Sequence, residues 1–229
     1  MMTKIKKFTY RIVEAMTFDD RVFPDLVNNY NEYWDSGVVP EDLATAKIIE
    51  NWFDSGSTLL DVGIGTGAVA EYLKNKKDLK ISGLDISESA SKLATKRGID
   101  FQVRDINNEL GLKENELYDY ILLKEVIEHT VYPQKILIDA VTHARKGVIV
   151  TIPNSAYITF RIHMLRGYAP RQSFTHLHFW SIKDFRVFCE GLEIKPLEFK
   201  TFLSNRLLTL RNLLAYQQIW LLAPKISQK

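Results

Sequence analysis

The stretch L-L-D-V-G-I-G-T-G, residues Leu59–Gly67, decides the fold, because an apolar run enters a loop with three alternating glycines. Glycine lets the backbone turn tightly and lets a ligand approach without meeting a Cβ. A helical pattern follows from Ala68, so the stretch predicts a strand, a ligand-binding loop and a helix in succession. With Ala68 it also satisfies the G-x-G-x-x-A fingerprint, which by itself does not separate NAD from other nucleoside cofactors.

Outward from this loop, short apolar runs alternate with helical patterns. Runs such as 120–123 are apolar without alternation, which is typical of parallel strands covered on both faces. We predict strands at residues 58–62, 79–84, 99–104, 118–124 and 147–152, with two closing strands at 193–199 and 217–222. Crossover helices are predicted at 68–75, 88–97 and 133–144, and a later helix at 182–190. The pattern predicts an α/β fold with a doubly wound, seven-stranded, mostly parallel sheet.

Two regions flank or interrupt this pattern. Residues 1–57 are predicted to be helical, and apolar residues recur at helical spacing in Leu43, Ala46, Ile49 and Phe53. The domain proper is predicted at residues 58–229. Within it, residues 154–180 follow a strand without a clear element of their own, and such long segments are often binding loops. We interpret them as an acceptor-loop insertion.

Composition excludes several classes of protein. The 229 residues are 46% apolar and 25% charged, and the net charge of +2 does not require a nucleic-acid partner. One cysteine, Cys189, excludes an internal disulfide and a Cys-rich zinc site. No apolar run reaches the ~18 residues that span a bilayer, and Met1–Met16 has no continuous apolar stretch of the kind found in signal peptides. We therefore expect a cytoplasmic protein with no membrane or nucleic-acid partner.

Acidic residues stand at the ends of three successive predicted strands. Asp61 lies two residues before the first glycine, where a carboxylate can face a ligand ammonium group but would repel a pyrophosphate. Asp85 follows the last glycine of the loop by 85 − 67 = 18 residues, the distance at which an acid meets ribose hydroxyls. Asp105 could accept from an adenine amino group, with Ile106 against the ring. Each acid alone is equally consistent with a solvated loop residue, but the three in order indicate a zwitterionic or cationic adenosine ligand.

The D-x-G-x-G-x-G string, the later acids and the strand at 118–124 resemble the class I S-adenosylmethionine-dependent methyltransferases. The resemblance implies a seven-stranded sheet and S-adenosylmethionine as the cofactor. It implies cofactor contacts at Asp61, Gly63, Gly65, Gly67, Asp85, Ile86, Asp105, Ile106 and Lys124. Similar N-terminal Tyr/Trp segments in this superfamily imply that residues 1–57 form a cofactor lid, with Tyr33 as an acceptor contact.

Two narrower resemblances differ in what they imply. The string at 151–154, followed by the string at 179–185, is similar to the methionine-biosynthesis W proteins and to methyltransferases of bacterial surface-polysaccharide synthesis. These proteins share a fold but differ in substrate. The first implies an accessory protein that regulates a partner enzyme such as a homoserine acyltransferase. The second implies an enzyme that methylates a polysaccharide intermediate.

A Glu-x-x-Glu-His string follows the fourth predicted strand. On a helical turn, Glu125, Glu128 and His129 would share one face, and such a set can hold Mg²⁺ or another divalent cation. The string resembles the metal site of small-RNA 2′-O-methyltransferases, which a later histidine completes. That resemblance implies His176 as the last ligand, with His178 as its substitute. Two alternatives remain open, namely that His129 is a general base or that it only caps the turn.

The segment from Asn154 to Lys183 contains no Asp or Glu. Its basic side chains favour an anionic acceptor, since guanidinium groups bind phosphate or carboxylate in a bidentate manner. A basic helix surface facing water is an equally good interpretation. The candidate acceptor contacts in this segment are Arg161, Arg166, Arg171, His176 and His178.

The leading hypothesis is O-methylation of a small anionic acceptor, either phosphorylated or nucleotide-linked, in surface or capsular polysaccharide modification. The first alternative is the accessory protein that keeps the fold and regulates a partner enzyme. The second is an RNA 2′-O-methyltransferase, which the net charge of +2 and the lack of a separate RNA-binding segment disfavour. The sequence makes no prediction of oligomeric state.

Overall fold

The computed structural model describes residues 43–170, 173, 175–201 and 210–225. Tyr33, Arg171 and the greater part of the N-terminal segment lie outside the described residues. Among the residues that are described, no helix is both long enough and apolar enough to cross a membrane.

The strands of the described chain form one seven-stranded sheet in the order β3-β2-β1-β4-β5-β7-β6. All pairings among the first five strands are parallel, whereas β7 runs antiparallel to both β5 and β6. The predicted doubly wound, mostly parallel α/β fold is therefore confirmed. The strands are β1 Thr58–Val62, β2 Lys80–Asp85, β3 Asp100–Val103, β4 Tyr118–Lys124, β5 Ala144–Pro153, β6 Pro196–Thr201 and β7 Gln217–Leu222.

Helices cover both faces of the sheet. In chain order they are α1 Ala44–Ile49, α2 Ala68–Lys77, α3 Glu88–Lys96, α4 Pro133–His143, α5 Ile158–Leu165, α6 Ile182–Gly191 and α7 Arg211–Leu214. Short 3-10 turns stand at Glu50–Trp52 and Ile127–His129. Each of α2, α3 and α4 connects two parallel strands, as in any βαβ crossover.

Helix α5 corrects the sequence prediction, which found no element of its own in residues 154–180. It begins without a side-chain cap, and its N-cap residue is Tyr157. The Tyr157 ring lies 5.9 Å from Phe160 and 5.5 Å from Tyr216, centroid to centroid. Packing against a residue near β7 therefore stabilises a helix that local propensity does not favour.

The core has one layer on each face of the sheet. In β4, Ile121 and Leu123 pack into the layer under α4 and α6. The alternate residues Tyr120 and Leu122 pack into the layer under α1 and α2. This two-sided burial explains why the strand lacks a polar alternation.

The carboxyl ends of β1, β2, β4 and β5 meet at one edge of the sheet, which we call the carboxyl edge. The order reverses between β1 and β4, and ligands bind at such a switch point in open α/β sheets. The first residue of the antiparallel β7, Gln217, pairs with Pro153 at the end of β5 and so reaches the same edge. All the chemistry predicted from the sequence should therefore lie there.

Candidate functional site

The glycine loop, Gly63–Gly67, follows β1 at the carboxyl edge. Its three glycines have φ angles of 69°, 55° and 75°, in the left-handed region that L side chains rarely adopt. A Cβ on Gly63 would also lie 2.5 Å from Cγ2 of Val126, the residue just before the turn Ile127–His129. The loop therefore approaches this turn so closely that the position requires glycine on two grounds.

Asp85, at the end of β2, braces the glycine loop. One carboxylate oxygen accepts from the Gly65 amide at 2.9 Å, and the other accepts from the Ser87 amide at 3.0 Å. Burial raises the pKa of Asp85, although these backbone hydrogen bonds oppose the rise. The predicted ribose contact is thus at the expected edge and holds the loop in shape.

Asp61 is a buried carboxyl group beside the same loop. Burial raises its pKa to about 7; the Lys124 ammonium group opposes this rise, and the Asp85 carboxylate adds to it. Among the described residues, none donates a hydrogen bond to its carboxylate. Burying a charge without a partner is costly, so the position fits a ligand that brings its own positive group.

The residues after β2 and β3 lie open at the carboxyl edge. Asp105 is exposed, and its carboxylate accepts from the Asn107 backbone at 2.9 Å and from its side-chain amide at 2.8 Å. Ile86 is 46% exposed, and Ile106 is half-buried against the core. The predicted adenine contacts therefore follow the neighbouring strands β2 and β3 with side chains that are at least partly accessible.

Three other predicted residues come together at the turn after β4. One ligand atom from each of Glu128, His129 and His176 lies within 4.8 Å of the others. The two imidazole rings are 4.6 Å apart between centroids and nearly perpendicular. The Leu177 amide donates to the Glu128 carbonyl at 2.8 Å, which holds the later segment against the turn. We call these three residues the Glu-His cluster.

Within the Glu-His cluster, Glu128 and the half-buried His129 carry buried polar atoms that have no hydrogen-bond partner among the described residues. Glu128 is 1% exposed, and neither of its carboxylate oxygens has a partner among the described residues. Burial raises its pKa well above the ordinary value, and the Glu125 carboxylate adds to the rise. His129 Nδ1 is also buried without a partner, and burial lowers the pKa of this imidazole to about 4. A neutral imidazole next to unpartnered carboxylate oxygens is a donor set that a divalent cation would complete.

Glu125 does not lie where a continuous helical turn would place it. Its φ is 54°, in the left-handed region, and the turn begins only at Ile127. Its backbone amide donates to the Thr151 carbonyl at 2.9 Å. Its carboxylate accepts from Nε2 of Gln217 at 2.5 Å and lies outside the Glu-His cluster.

The remaining predicted acceptor contacts lie on the insertion. His178 donates from Nε2 to the Thr130 carbonyl at 3.0 Å and stacks on Trp180, so it braces the segment. Arg161, on α5, is exposed, and its Nε donates to the Ala156 carbonyl at 2.7 Å. Arg166, just after α5, is also exposed and lies over the Tyr168 ring. The structure thus assigns His178 a bracing contact, while both described arginines face solvent.

Sequence reasoning missed the buried amides that fix the insertion. Asn154 is fully buried; its amide group donates to the carbonyls of Asn212 and Ala215, and its oxygen accepts from the Ala156 amide. Gln218 donates to the carbonyls of Pro153 and Trp180. A polar residue at the end of an apolar strand was the available signal, but its partners are far away in sequence.

Comparison with known proteins identifies the family. Residues 43–210 match the family model of the methionine biosynthesis protein MetW, and they make up most of the chain. The chain belongs to the MetW family. The resemblance to the methionine-biosynthesis W proteins, which was based on residues 151–154 and 179–185, is therefore confirmed.

Curated relatives of this MetW-family chain include methyltransferases of another pathway. It is 29% identical over 168 residues to a ubiquinone biosynthesis O-methyltransferase of Rickettsia canadensis, covering 66% of this chain and 70% of that protein. It is 23% identical over 129 residues to the bifunctional methionine biosynthesis protein MetXA/MetW of Rhodopirellula baltica, covering 51% of this chain. The second match spans only 20% of the bifunctional relative.

Solved structures share the fold of this chain. A chain from the Haloferax volcanii complex that contains the Trm112 methyltransferase activator superposes with a TM-score of 0.69, at 14% identity, over 90% of this chain and 100% of that one. Magnesium protoporphyrin IX methyltransferase of Synechocystis, which has S-adenosylhomocysteine bound, gives 0.61 at 15% identity over 94% and 98%. The small-RNA methyltransferase HEN1 gives 0.61 at 21% identity over 81% of this chain and 25% of that one.

The fold of this MetW-family chain is thus that of the class I methyltransferases. With the family model and the methyltransferase relatives, this confirms the predicted class, an enzyme that uses S-adenosylmethionine. The relatives and neighbours named here differ in the acceptors that their names state.

Proposed function

We propose that this protein is an O-methyltransferase of a small anionic acceptor, with the acceptor oxygen placed at the Glu-His cluster. One observation carries the proposal: the unpartnered carboxylate of Glu128 and the unpartnered Nδ1 of His129 are buried beside the glycine loop. The loop and the turn are adjacent because Gly63 packs against Val126. Cofactor loop and reactive polar groups therefore face one region of the carboxyl edge.

The glycine loop and the acids at the strand ends fit the cofactor. When bound, S-adenosylmethionine supplies a methyl group on a positively charged sulfur with a neutral leaving group. Asp61 would bind the ammonium end, Asp85 would accept from ribose hydroxyls while it braces Gly65, and Asp105 would face the adenine amino group. The chain's main contribution to the rate is then alignment of the acceptor with the methyl group.

The titration of His129 favours a ligand role over a general-base role. A general base works best when its pKa is near the working pH, and burial holds the pKa of His129 at about 4. The neutral ring nevertheless keeps a lone pair that can bind a metal. A divalent cation held by Glu128, His129 and His176 would lower the pKa of an acceptor hydroxyl. With two imidazoles in the set, Mn²⁺ or Co²⁺ fits better than Mg²⁺.

Exposed arginine side chains near the carboxyl edge support an anionic acceptor. Arg161 and Arg166 are exposed on and just after α5, in a segment from Asn154 to Lys183 that contains no acidic residue. Exposed guanidinium groups recognise phosphate and carboxylate. We infer a phosphorylated or nucleotide-linked acceptor of the kind found in surface-polysaccharide synthesis. The O-methyltransferase relative supports oxygen as the acceptor atom.

The test combines an acceptor screen with two variants. Purified protein and S-adenosylmethionine are assayed for S-adenosylhomocysteine release with sugar phosphates, nucleotide sugars and neutral phenols. With an accepted compound, Glu128→Gln and His129→Ala should lose turnover at least 100-fold while the thermal shift caused by S-adenosylhomocysteine is unchanged. Glu109→Gln, at an exposed position, is the matched control. Full activity in both variants would remove the cluster from the mechanism, and turnover with neutral phenols alone would overturn the anionic acceptor.

A second candidate function is supported by the family itself. Membership of the MetW family and the match to a MetXA/MetW fusion favour an accessory protein that binds a partner enzyme. Such a protein would bind S-adenosylmethionine without turnover and form a stable complex with a MetXA-type partner. Co-elution with that partner in gel filtration, together with no methyl transfer in the acceptor screen, would favour this function over the first.

A further inference from the structure

A line of polar side chains runs from α1 to Glu125, the first residue after β4. The Thr45 hydroxyl donates to Oε1 of Gln217 at 3.3 Å, and Nε2 of Gln217 donates to the Glu125 carboxylate at 2.5 Å. Thr45 and Gln217 are both buried. The line therefore ends three residues before Glu128, outside the Glu-His cluster.

The orientation of the Gln217 amide is dictated by its two neighbours. The oxygens of a carboxylate accept hydrogen bonds, and the nitrogen of the Gln217 amide faces Glu125 Oε1 at 2.5 Å. The amide oxygen is then left for the Thr45 hydroxyl, which can donate. Both ends of the amide are thus occupied, and the side chain is held in one orientation.

Glu125 is directed toward Gln217 by its backbone as well. A residue with a side chain rarely adopts a φ of 54°, and such residues are concentrated at functional sites. The amide of Glu125 is held by the Thr151 carbonyl at the end of β5. The carboxylate consequently points to β7, although it belongs to the same short segment as Glu128 and His129.

We propose that Gln217 is a positioning residue that holds the Glu125 carboxylate away from the Glu-His cluster. The cluster then offers a cation three protein ligands and leaves positions for an acceptor oxygen. The inference rests on the proposed function, because it requires a cation at Glu128, His129 and His176. Without the Gln217 amide, the half-buried Glu125 carboxylate would keep only the Thr151 hydroxyl as a hydrogen-bonding neighbour, and a cation at the Glu-His cluster would attract it.

The test measures cation binding and needs no acceptor. Mn²⁺ is titrated into wild type and Gln217→Met in the presence of S-adenosylhomocysteine, and the dissociation constant is read by calorimetry. A fourth ligand that brings another negative charge should tighten Mn²⁺ binding about tenfold in Gln217→Met. The double variant Gln217→Met/Glu125→Gln should return to the wild-type value, since it lacks the carboxylate that moves.

Each outcome separates this inference from the proposed function. Mn²⁺ binding that Glu128→Gln abolishes but Gln217→Met leaves unchanged would overturn the role of Gln217 and leave the cation site standing. Failure of wild type to bind Mn²⁺ or Co²⁺ would overturn the role of Gln217 and the cation site, whereas the acceptor screen separately decides the methyltransferase activity. If Gln217→Met does not fold, Thr45→Val removes only the outer hydrogen bond and should tighten Mn²⁺ binding by a smaller factor. No change in Thr45→Val would then contradict the inference.

Discussion

Asp61 couples folding to pH at the scale of one residue. Its ordinary pKa is 3.8, and burial raises it to about 7 in the folded chain. Between these values the folded state keeps a proton that the unfolded state has lost. Stability therefore falls as the pH rises from about 4 to about 7, by at most about 4 kcal/mol, and stays low above that range.

The variant Asp61→Asn should remove this loss. Its free energy of unfolding relative to wild type is expected to increase from pH 5 to pH 8, because only wild type acquires a buried charge in that interval. Urea unfolding at the two pH values measures the difference. Glu114→Gln, at an exposed position, should show no such trend. Parallel pH profiles for wild type and Asp61→Asn would mean that the carboxyl group is already compensated in the folded chain.

Two residues mark how far the sequence could predict the site. The position of Asp85 was predictable from its spacing after the glycines, because strand, loop and strand follow one another locally. The direction of Glu125 was not, because it depends on Gln217, 92 positions away. The backbone of Glu125 is also left-handed rather than helical. Its side chain therefore points away from the Glu-His cluster, where a continuous helical turn would have placed it.

At the scale of the element, Gly63 of the glycine loop can be compared with Gly56, which lies before β1. The comparison separates the cost of a strained backbone from the cost of a close side-chain contact. Gly56 and Gly63 both have positive φ, but a Cβ on Gly56 would meet nothing within 4 Å, whereas one on Gly63 would meet Val126. Gly56→Ala should therefore cost about 1–2 kcal/mol of stability from strain alone. Gly63→Ala should cost about 1–3 kcal/mol more from overpacking.

Only Gly63→Ala should also weaken S-adenosylhomocysteine binding, because the loop must shift to relieve the contact. Urea unfolding gives the two stability losses, and calorimetry with S-adenosylhomocysteine gives the two affinities. Equal stability losses would show that Val126 can move away from the added Cβ with no loss of stability. Equal affinities would show that the loop conformation at Gly63 does not matter to the ligand.

The insertion is held by Asn154, an amide whose contacts a carboxylate cannot reproduce. Its nitrogen donates to two backbone carbonyls, at 3.1 and 2.7 Å. Asn154→Asp should cost about 2–4 kcal/mol at pH 8, since a buried charge would face both carbonyls, and less at pH 5, where the group can stay protonated. Urea unfolding at the two pH values checks this. The exposed change Asn115→Asp should stay within about 0.5 kcal/mol, and a similar small loss at Asn154 would contradict the role of the amide.

The elements themselves differed in how predictable they were. The strand β4 is evident in sequence because burial on both faces leaves a continuous apolar run. Helix α5 is not, since it begins with β-branched residues and has no side-chain cap. Its stability comes from ring contacts with Tyr216, and a contact across nearly sixty residues leaves no local pattern.

At the scale of the whole molecule, the fold concentrates positive charge near one edge of a nearly neutral protein. The net charge is only +2, yet the segment from Asn154 to Lys183 contains no acid, and its arginines at 161 and 166 are exposed. Attraction between exposed charges is screened over about 8 Å at physiological ionic strength. If these arginines bind the acceptor, the acceptor KM should rise roughly several-fold between about 50 and about 300 mM salt, because salt screens their attraction for an anionic acceptor.

A matched pair of double variants separates local attraction from net charge. Arg161→Gln/Arg166→Gln should raise the acceptor KM at low salt and abolish most of its salt dependence, while the KM for S-adenosylmethionine changes little. Lys80→Gln/Lys195→Gln removes the same charge from the opposite edge, where β2 begins and β7 ends. That variant should behave as wild type, because its lysines are more than a screening length from the site region. An equal effect of both pairs would assign the attraction to net charge, and no effect of the arginine pair would exclude these two side chains from acceptor binding.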